Sequence, residues 1–136
     1  MLDYDGLTIG QASVMKMLYA GLNKGQWAMM ATMCVAAAKH DLLETFLGEL
    51  ESSRADVFKT MHSWVGFLAA DAHRFGPEMD EIAATFAEVG VTSKFHEGAA
   101  EMFRLMAKTP FAAETRETLD KSRTLEEALA EYMKHV

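Results

Sequence analysis

Residues 10–25 read GQASVMKMLYAGLNKG and begin the pattern that decides the fold. Apolar side chains recur there at Met15, Leu18 and Leu22, with spacings of three and four that mark one face of an α-helix. The periodicity continues to about Lys39. It predicts a first helix of about 28 residues, or about 42 Å at 1.5 Å per residue. Apart from the charged Lys16, residues 10–25 are typical of a buried helix.

Two glycines lie inside this predicted helix, at Gly21 and Gly25. Each costs about 1 kcal/mol of helix propensity relative to alanine, so each needs a packing reason. We expect another helix to approach closely at both positions. Cys34, the lone cysteine, stands among Met33 and Val35 and is expected to be a buried structural thiol.

The rest of the chain predicts an all-α fold of about six helices in a single domain over residues 1–136. Only two prolines are present, and Ala, Leu, Met, Glu and Lys dominate over strand-forming residues. The second predicted helix is capped by Asp41 and ends at about Ser52, and the third is capped by Ser53 and runs through residues 57–75. The fourth has Pro77 in its first turn and Gly90 as its stop, and the fifth runs from about Ser93 to Lys108 with one apolar face, formed by Phe95, Ala99, Met102, Phe103 and Met106. The sixth begins with a capping box from Thr124 to Glu127, ahead of the apolar residues Leu125, Leu129 and Met133. Residues 109–123 are expected to be irregular.

Composition and motifs exclude several kinds of function. The 20 acidic and 13 basic residues give a formal charge of −7, so neither nucleic acid nor an anionic membrane is an expected partner. No apolar run is long enough to span a bilayer, and a reducing, cytoplasmic location is expected. The sequence has no Gly-rich phosphate-binding turn, no histidine pair at metal-binding spacing and no signature of an activated serine.

Lys16 is the residue that invites a chemical interpretation. On a helix it shares one side with Tyr19 and Asn23, and Trp27 extends the same stripe. A lysine that loses hydration beside Met15 and Met17 would favour its neutral form, as proton transfer at a hydroxyl requires. The alternative is that the Lys16 stem lies along the apolar surface while its ammonium stays in water.

Two segments, residues 10–25 and the run PEMDEIAATFAEVGVTSKFHEGAAEMFRLMA (77–107), resemble the C-terminal helical domain of phosphogluconate-dehydrogenase-like proteins of the β-hydroxyacid dehydrogenase superfamily. The similarity covers residues 5–120. In that superfamily a long helix begins with glycine, any residue, glycine, three residues and lysine; Gly10, Ala12 and Lys16 stand at these positions here. The resemblance implies that Lys16 is the catalytic lysine, which exchanges a proton with the substrate hydroxyl during hydride transfer.

Departures from the superfamily pattern alter other positions. Tyr19 stands where the superfamily usually has a substrate-binding asparagine, and Asn23 follows one turn later, so we expect Tyr19, Asn23, Gly10 and Ala12 to contribute to an altered substrate site. Ahead of the fourth helix, superfamily members often have a lysine followed by an acidic residue, which lie near the nicotinamide. At this position the present sequence has Pro77 followed by Glu78.

Two functions follow as alternatives. The first is the substrate-binding, catalytic-lysine domain of an NAD(P)-dependent oxidoreductase that acts on a small hydroxy acid or related compound. A Rossmann domain, in the parent chain or in trans, would bind NAD or NADP, and this chain alone is expected to bind no cofactor. The second is a non-enzymatic helical dimerisation module. In either case we expect a homodimer, because the first helix has more apolar surface than five short helices can cover.

Overall fold

The computed structural model describes residues 4–136, and this part of the chain is all-helical. Its order is α1 (Ile9–Lys39), α2 (Leu43–Ser53), α3 (Ala55–Trp64), a 3-10 segment (Val65–Asp71), α4 (Ala72–Glu88), α5 (Lys94–Met106), a short 3-10 turn (Pro110–Ala113) and α6 (Leu125–Met133). The all-α prediction with a long first helix is confirmed, as are the irregular residues around the short turn.

Helix α1 begins and ends with local hydrogen bonds that the sequence explains. Thr8 Oγ1 accepts from the Gln11 N–H at 3.1 Å, and the Gln11 side chain accepts from the Thr8 N–H at 3.1 Å, which together form a capping box. At the other end Asp41 has a left-handed backbone (φ 58°), and the Leu42 N–H bonds the Ala37 carbonyl at 2.8 Å. Asp41 therefore terminates α1, and the prediction that it caps α2 is wrong.

The predicted third helix is divided in two. The Ser53 hydroxyl bonds the Glu49 carbonyl at 2.8 Å inside α2 and does not cap α3. After Trp64 the backbone tightens into the 3-10 segment, where the Val65 and Gly66 carbonyls accept hydrogen bonds from side chains of the later chain. No local sequence pattern indicates these tertiary hydrogen bonds. The sequence therefore predicts one continuous helix where the structure has two elements.

Helix α4 starts five residues before Pro77, so the prediction of Pro77 in its first turn is wrong. The chain enters α4 already helical from the 3-10 segment, and Pro77 gives up one hydrogen bond, to the carbonyl of the exposed residue His73. The predicted stop is confirmed: Gly90 has φ 77°, and the Val91 N–H bonds the Phe86 carbonyl at 3.0 Å.

Helices α5 and α6 form largely as expected. Ser93 precedes α5, without a capping side-chain bond, and the face predicted for α5 is mostly buried. Phe95 is the exception, since it lies in the first turn, beyond the core, and is 78% exposed. The capping box of α6 is confirmed: Thr124 Oγ1 accepts from the Glu127 N–H at 3.1 Å, and the Glu127 carboxylate accepts from the Thr124 N–H at 3.0 Å.

The core forms where α4 and α5 pack against the second half of α1, and where α6 covers the 3-10 segment. The residues that α1 buries are small ones: Gly21, Ala28, Ala31, Cys34 and Val35. The large residues of its periodic face are instead 40–62% exposed, namely Met15, Leu18, Leu22, Met29 and Met33. The reading of that run as a buried helix is wrong, because the close approach of α4 and α5 requires small side chains on α1.

The two glycines of α1 confirm the expected close approach. A Cβ at Gly21 would lie 3.2 Å from Ile82 Cγ2, and one at Gly25 would lie 3.1 Å from His96 Nε2. The His96 ring also bonds the Gly21 carbonyl through Nε2 at 3.0 Å. Helices α4 and α5 therefore hold α1 at these two positions.

Candidate functional site

The first three turns of α1 extend beyond the core. None of residues 9–20 is buried, and Ile9 is 93% exposed. The nearest tertiary contact is at Met17, whose sulfur accepts a hydrogen bond from the Thr85 hydroxyl of α4 at 3.3 Å. Apart from Met17 and Ala20, which pack against the edge of the core, most side chains of this part of α1 are exposed.

Lys16 lies on this free part of α1. Its residue is exposed, and its Nζ lies 5.9 Å from the centre of the Tyr4 ring, in cation–π range. Met15 is 40% exposed, and Met17 is only partly buried. Among the described residues Lys16 is therefore exposed beside two methionines, of which Met17 packs against the edge of the core.

The other predicted site residues follow Lys16 along α1. Tyr19 is 54% exposed and Asn23 is half-buried, while Gly10 is exposed and Ala12 half-buried. Gly10 and Asn23 are about 20 Å apart along the helix axis. Ala12, Lys16, Tyr19 and Asn23 lie in a row, within about 60° of one another around the helix, whereas Gly10 lies about 120° from Lys16. No other element closes over Lys16 in the described residues.

Trp27 does not continue the row as a ligand-facing side chain. Its ring stacks on Trp64 at 5.0 Å between centroids and 9° between planes, and contacts Phe75 at 6.1 Å. Trp27 therefore anchors α1 to α3 and α4. The polar row that starts at Lys16 ends at Asn23.

Sequence reasoning missed Lys24, the residue next to Asn23. Both carboxylate oxygens of Glu78 accept hydrogen bonds from Lys24 Nζ at 2.8 Å, and this ammonium lies 4.8 Å from the centre of the Phe75 ring. Glu78 follows Pro77 in α4, and the Lys24 ammonium of α1 neutralises its carboxylate. The sequence signal that could have indicated Lys24 is a lysine placed among the apolar residues of the second half of α1.

The other groups near Glu78 are exposed. Arg74 forms an ion pair with Asp71 one turn earlier on the same side of the chain, and His73 is exposed. An exposed pair of this kind contributes little to stability. Lys24, next to Asn23 in the chain, and its partner Glu78 are by contrast partly buried.

Two surface depressions border α1. A shallow one of about 380 Å³ is lined by Leu7, Gly10, Gln11, Val14 and Met15. A larger groove of about 1230 Å³ runs between α1 and α5. Lys16 lines neither depression.

The thiol of Cys34 is fully buried. Burial, with a smaller contribution from the Glu126 carboxylate, raises its pKa from 9.0 to about 12. A thiol in this state is not a nucleophile near neutral pH. The expectation of a buried thiol is confirmed.

Within residues 4–136, no cluster of three or more His, Cys, Asp or Glu side chains is arranged to hold a metal ion. In the same residues, no helix combines the length and apolarity needed to cross a bilayer.

A family model described as "Domain of unknown function (DUF1932)" matches residues 37–106, just over half of the chain. The chain belongs to this family, which is known as the C-terminal helical domain of NAD(P)-binding 6-phosphogluconate dehydrogenase-like proteins. The matched range begins near the end of α1 and does not include Lys16. No curated protein and no solved structure matches the chain.

Proposed function

We propose that this chain is the C-terminal catalytic-lysine and substrate-binding domain of an NAD(P)-dependent oxidoreductase that acts on a small hydroxy acid or a related hydroxyl compound. The family match supports the association with dehydrogenase-like proteins. The observation that carries the proposal is Lys16 itself, which is exposed on the part of α1 that the core leaves free.

In this proposal the residues of α1 bind the substrate and move one proton. Tyr19 and Asn23 donate or accept hydrogen bonds at its polar groups, and Gly10 and Ala12 leave room for the chain and substrate to approach. Lys16 accepts the hydroxyl proton on its neutral amine as the carbonyl forms. The nicotinamide of NAD or NADP supplies the hydride acceptor when bound.

The sequence has no Gly-rich phosphate-binding turn, and in this proposal the chain binds no dinucleotide by itself. The cofactor would be held by a Rossmann domain, in the parent chain or in trans. When that domain covers the free half of α1, it would also remove water from Lys16, which favours the neutral amine that the reaction needs. Lys24 already neutralises Glu78, so that carboxylate adds no unbalanced charge to the covered surface.

The test compares the isolated chain with the chain produced together with its Rossmann domain. With a panel of short hydroxy acids, the complete protein should reduce NAD or NADP, whereas the isolated chain should show neither turnover nor saturable cofactor binding by calorimetry. Tight binding of either dinucleotide to the isolated chain would contradict the division of labour. A complete protein that binds the cofactor yet oxidises no member of the panel would contradict the proposed activity.

The second candidate is a non-enzymatic helical module whose role is to pair chains. The exposed large apolar side chains of α1 favour it. It differs from the first candidate in one measurable respect, because it assigns no role to Lys16.

A further inference from the structure

An exposed indole lies at the end of the polar row that Lys16, Tyr19 and Asn23 form on α1. Trp64, the last residue of α3, is 49% exposed, and its ring stacks on Trp27 at 5.0 Å between centroids and 9° between planes. The Cα of Trp27 lies within about 40° of those of Lys16 and Asn23 around α1. The stacked pair, which we call the aromatic shelf, therefore stands on the Lys16 side of the helix.

The aromatic shelf lies close to Asn23. Side chains of a helix lean toward its N-terminus, so the Trp27 ring, one turn after Asn23, lies over the turn that holds it. Phe75 contacts Trp27 from the side of Lys24, whose ammonium is 4.8 Å from the centre of the Phe75 ring. Phe75 is buried and Trp27 is partly buried, so Trp64 is the most exposed member of this aromatic group.

The charged side chains beside the shelf are paired. Lys24 and Arg74 lie 4.8 and 5.6 Å from the centre of the Phe75 ring, Lys24 pairs with Glu78, and Arg74 pairs with Asp71. These pairs offer no unbalanced charge to a second carboxylate or a phosphate of a substrate. A flat apolar group can instead stack on the exposed indole, because offset aromatic rings attract one another.

We propose that the substrate is a hydroxy acid that carries an aromatic ring, with its hydroxyl at Lys16 and its ring on Trp64. This inference rests on the proposed function, because it gives the same substrate a second contact. Lys16 and Asn23 are about 10 Å apart along the helix axis. A ring-bearing hydroxy acid extends from Lys16 toward the shelf, whereas a three-carbon acid stays near Lys16. Trp64 thus determines specificity without touching the reacting atoms.

Steady-state kinetics of the complete protein, with its Rossmann domain, test the assignment with 3-phenyllactate and lactate as substrates. The parent protein should have a kcat/KM about 10-fold higher for 3-phenyllactate, since an aromatic contact in a water-excluded site supplies a preference of this size. Trp64→Leu should remove most of this preference, and Trp64→Phe, which keeps a ring, should retain more of it. Circular dichroism confirms that the variants fold.

Phe95→Leu is the matched control, because it replaces an aromatic ring that is 78% exposed on α5, beside the groove and away from the shelf. It should leave the preference unchanged. A purely structural role of Trp64 would lower kcat/KM for both substrates by the same factor, and this result in Trp64→Leu would overturn the proposal. Equal use of the two substrates by the parent protein would overturn it as well, while the hydroxy-acid activity itself would stand.

Binding decides the case in which neither substrate is oxidised, a result that contradicts the proposed function. Saturation-transfer NMR of the complete protein then follows the phenyl protons of 3-phenyllactate. These protons should receive saturation from the parent protein and lose most of it in Trp64→Leu. Equal saturation in the two proteins, or none in the parent, would overturn the contact with the aromatic shelf.

Discussion

The two parts of α1 differ although one continuous helix contains both. Residues 21–39 carry all the positions that α1 buries, and residues 9–20 carry none. The buried positions hold small residues such as Ala28 and Ala31, whereas large apolar residues such as Leu22 remain exposed. In this protein, the fully buried positions of the long helix hold small side chains, and several of its large apolar side chains remain exposed.

The difference assigns separate tasks to the two parts. The second part fixes the position of the helix through Gly21, Gly25 and the stacked Trp27, so that the first part projects at a defined angle. A lysine on the projecting part can be precisely placed without being enclosed by its own chain. Matched substitutions in the two parts can break or sharpen this comparison.

The largest difference in stability should come from introducing the same charge in each part. Ala31 is fully buried, so Ala31→Glu should lower the free energy of unfolding by at least about 3 kcal/mol. Ser13 is exposed, and Ser13→Glu should change it by less than about 0.5 kcal/mol. Urea unfolding of both variants measures the contrast, and equal losses would show that the first part of α1 is also packed.

Alkaline pH should destabilise the protein through two buried acids, one in the packed part of α1 and one in α6. Burial raises the pKa of the Cys34 thiol to about 12 and also raises that of the Tyr132 phenol, which donates to the Val65 carbonyl at 2.7 Å. The unfolded thiol ionises near pH 9, so unfolding is favoured as the pH rises above that value. From pH 9 to pH 10 the loss due to Cys34 should be about 1 kcal/mol.

Urea unfolding at several pH values checks this dependence. Cys34→Ala is the control: whatever its effect at pH 8, the decline between pH 9 and pH 10 should become shallower. An unchanged slope in that variant would show that the Cys34 thiol does not contribute to the alkaline loss.

A smaller effect should separate the glycines of α1 from a glycine in open space. A Cβ at Gly48, in the middle of α2, would meet nothing within 4 Å, so Gly48→Ala should stabilise the protein by about 0.5–1 kcal/mol through helix propensity. Gly21→Ala and Gly25→Ala should lose this gain or reverse it, because their new methyl groups press on Ile82 and His96. Thermal melts of the three variants rank them, and a gain at Gly25 equal to that at Gly48 would contradict close packing.

Local signals in the sequence were sufficient for most of the fold. Helical periodicity gave α1, the capping box at Thr124 gave the start of α6, and Gly90 gave the end of α4. Gly21 and Gly25 correctly indicated close contact. These features depend on neighbouring residues or on the steric demands of one position, so a single sequence contains them.

The errors arose where tertiary contacts decide the outcome. The break after Trp64 depends on hydrogen bonds that Arg123 and Tyr132 make to backbone carbonyls of the 3-10 segment. The side of α1 that faces the core depends on how closely α4 and α5 approach, which periodicity does not specify.

The candidate site was predictable only in part. Lys16, Tyr19 and Asn23 could be placed on one side of a helix from their spacing, but their exposure could not. The pairing of Lys24 with Glu78 joins residues 54 positions apart in the chain, and nothing local indicates it.

The turnover of Lys16 variants in the proposed complete protein, in which this chain is joined by a Rossmann domain, tests the central claim most directly. Lys16→Ala should lower the turnover number by about 10²- to 10⁴-fold, with little effect on substrate binding, because it removes the group that accepts the hydroxyl proton. Lys16→Arg should recover little, since a guanidinium stays protonated. Melting temperatures should remain unchanged because Lys16 is exposed. Near-normal turnover in both variants would contradict a catalytic role for Lys16 and leave it as a solvated surface lysine.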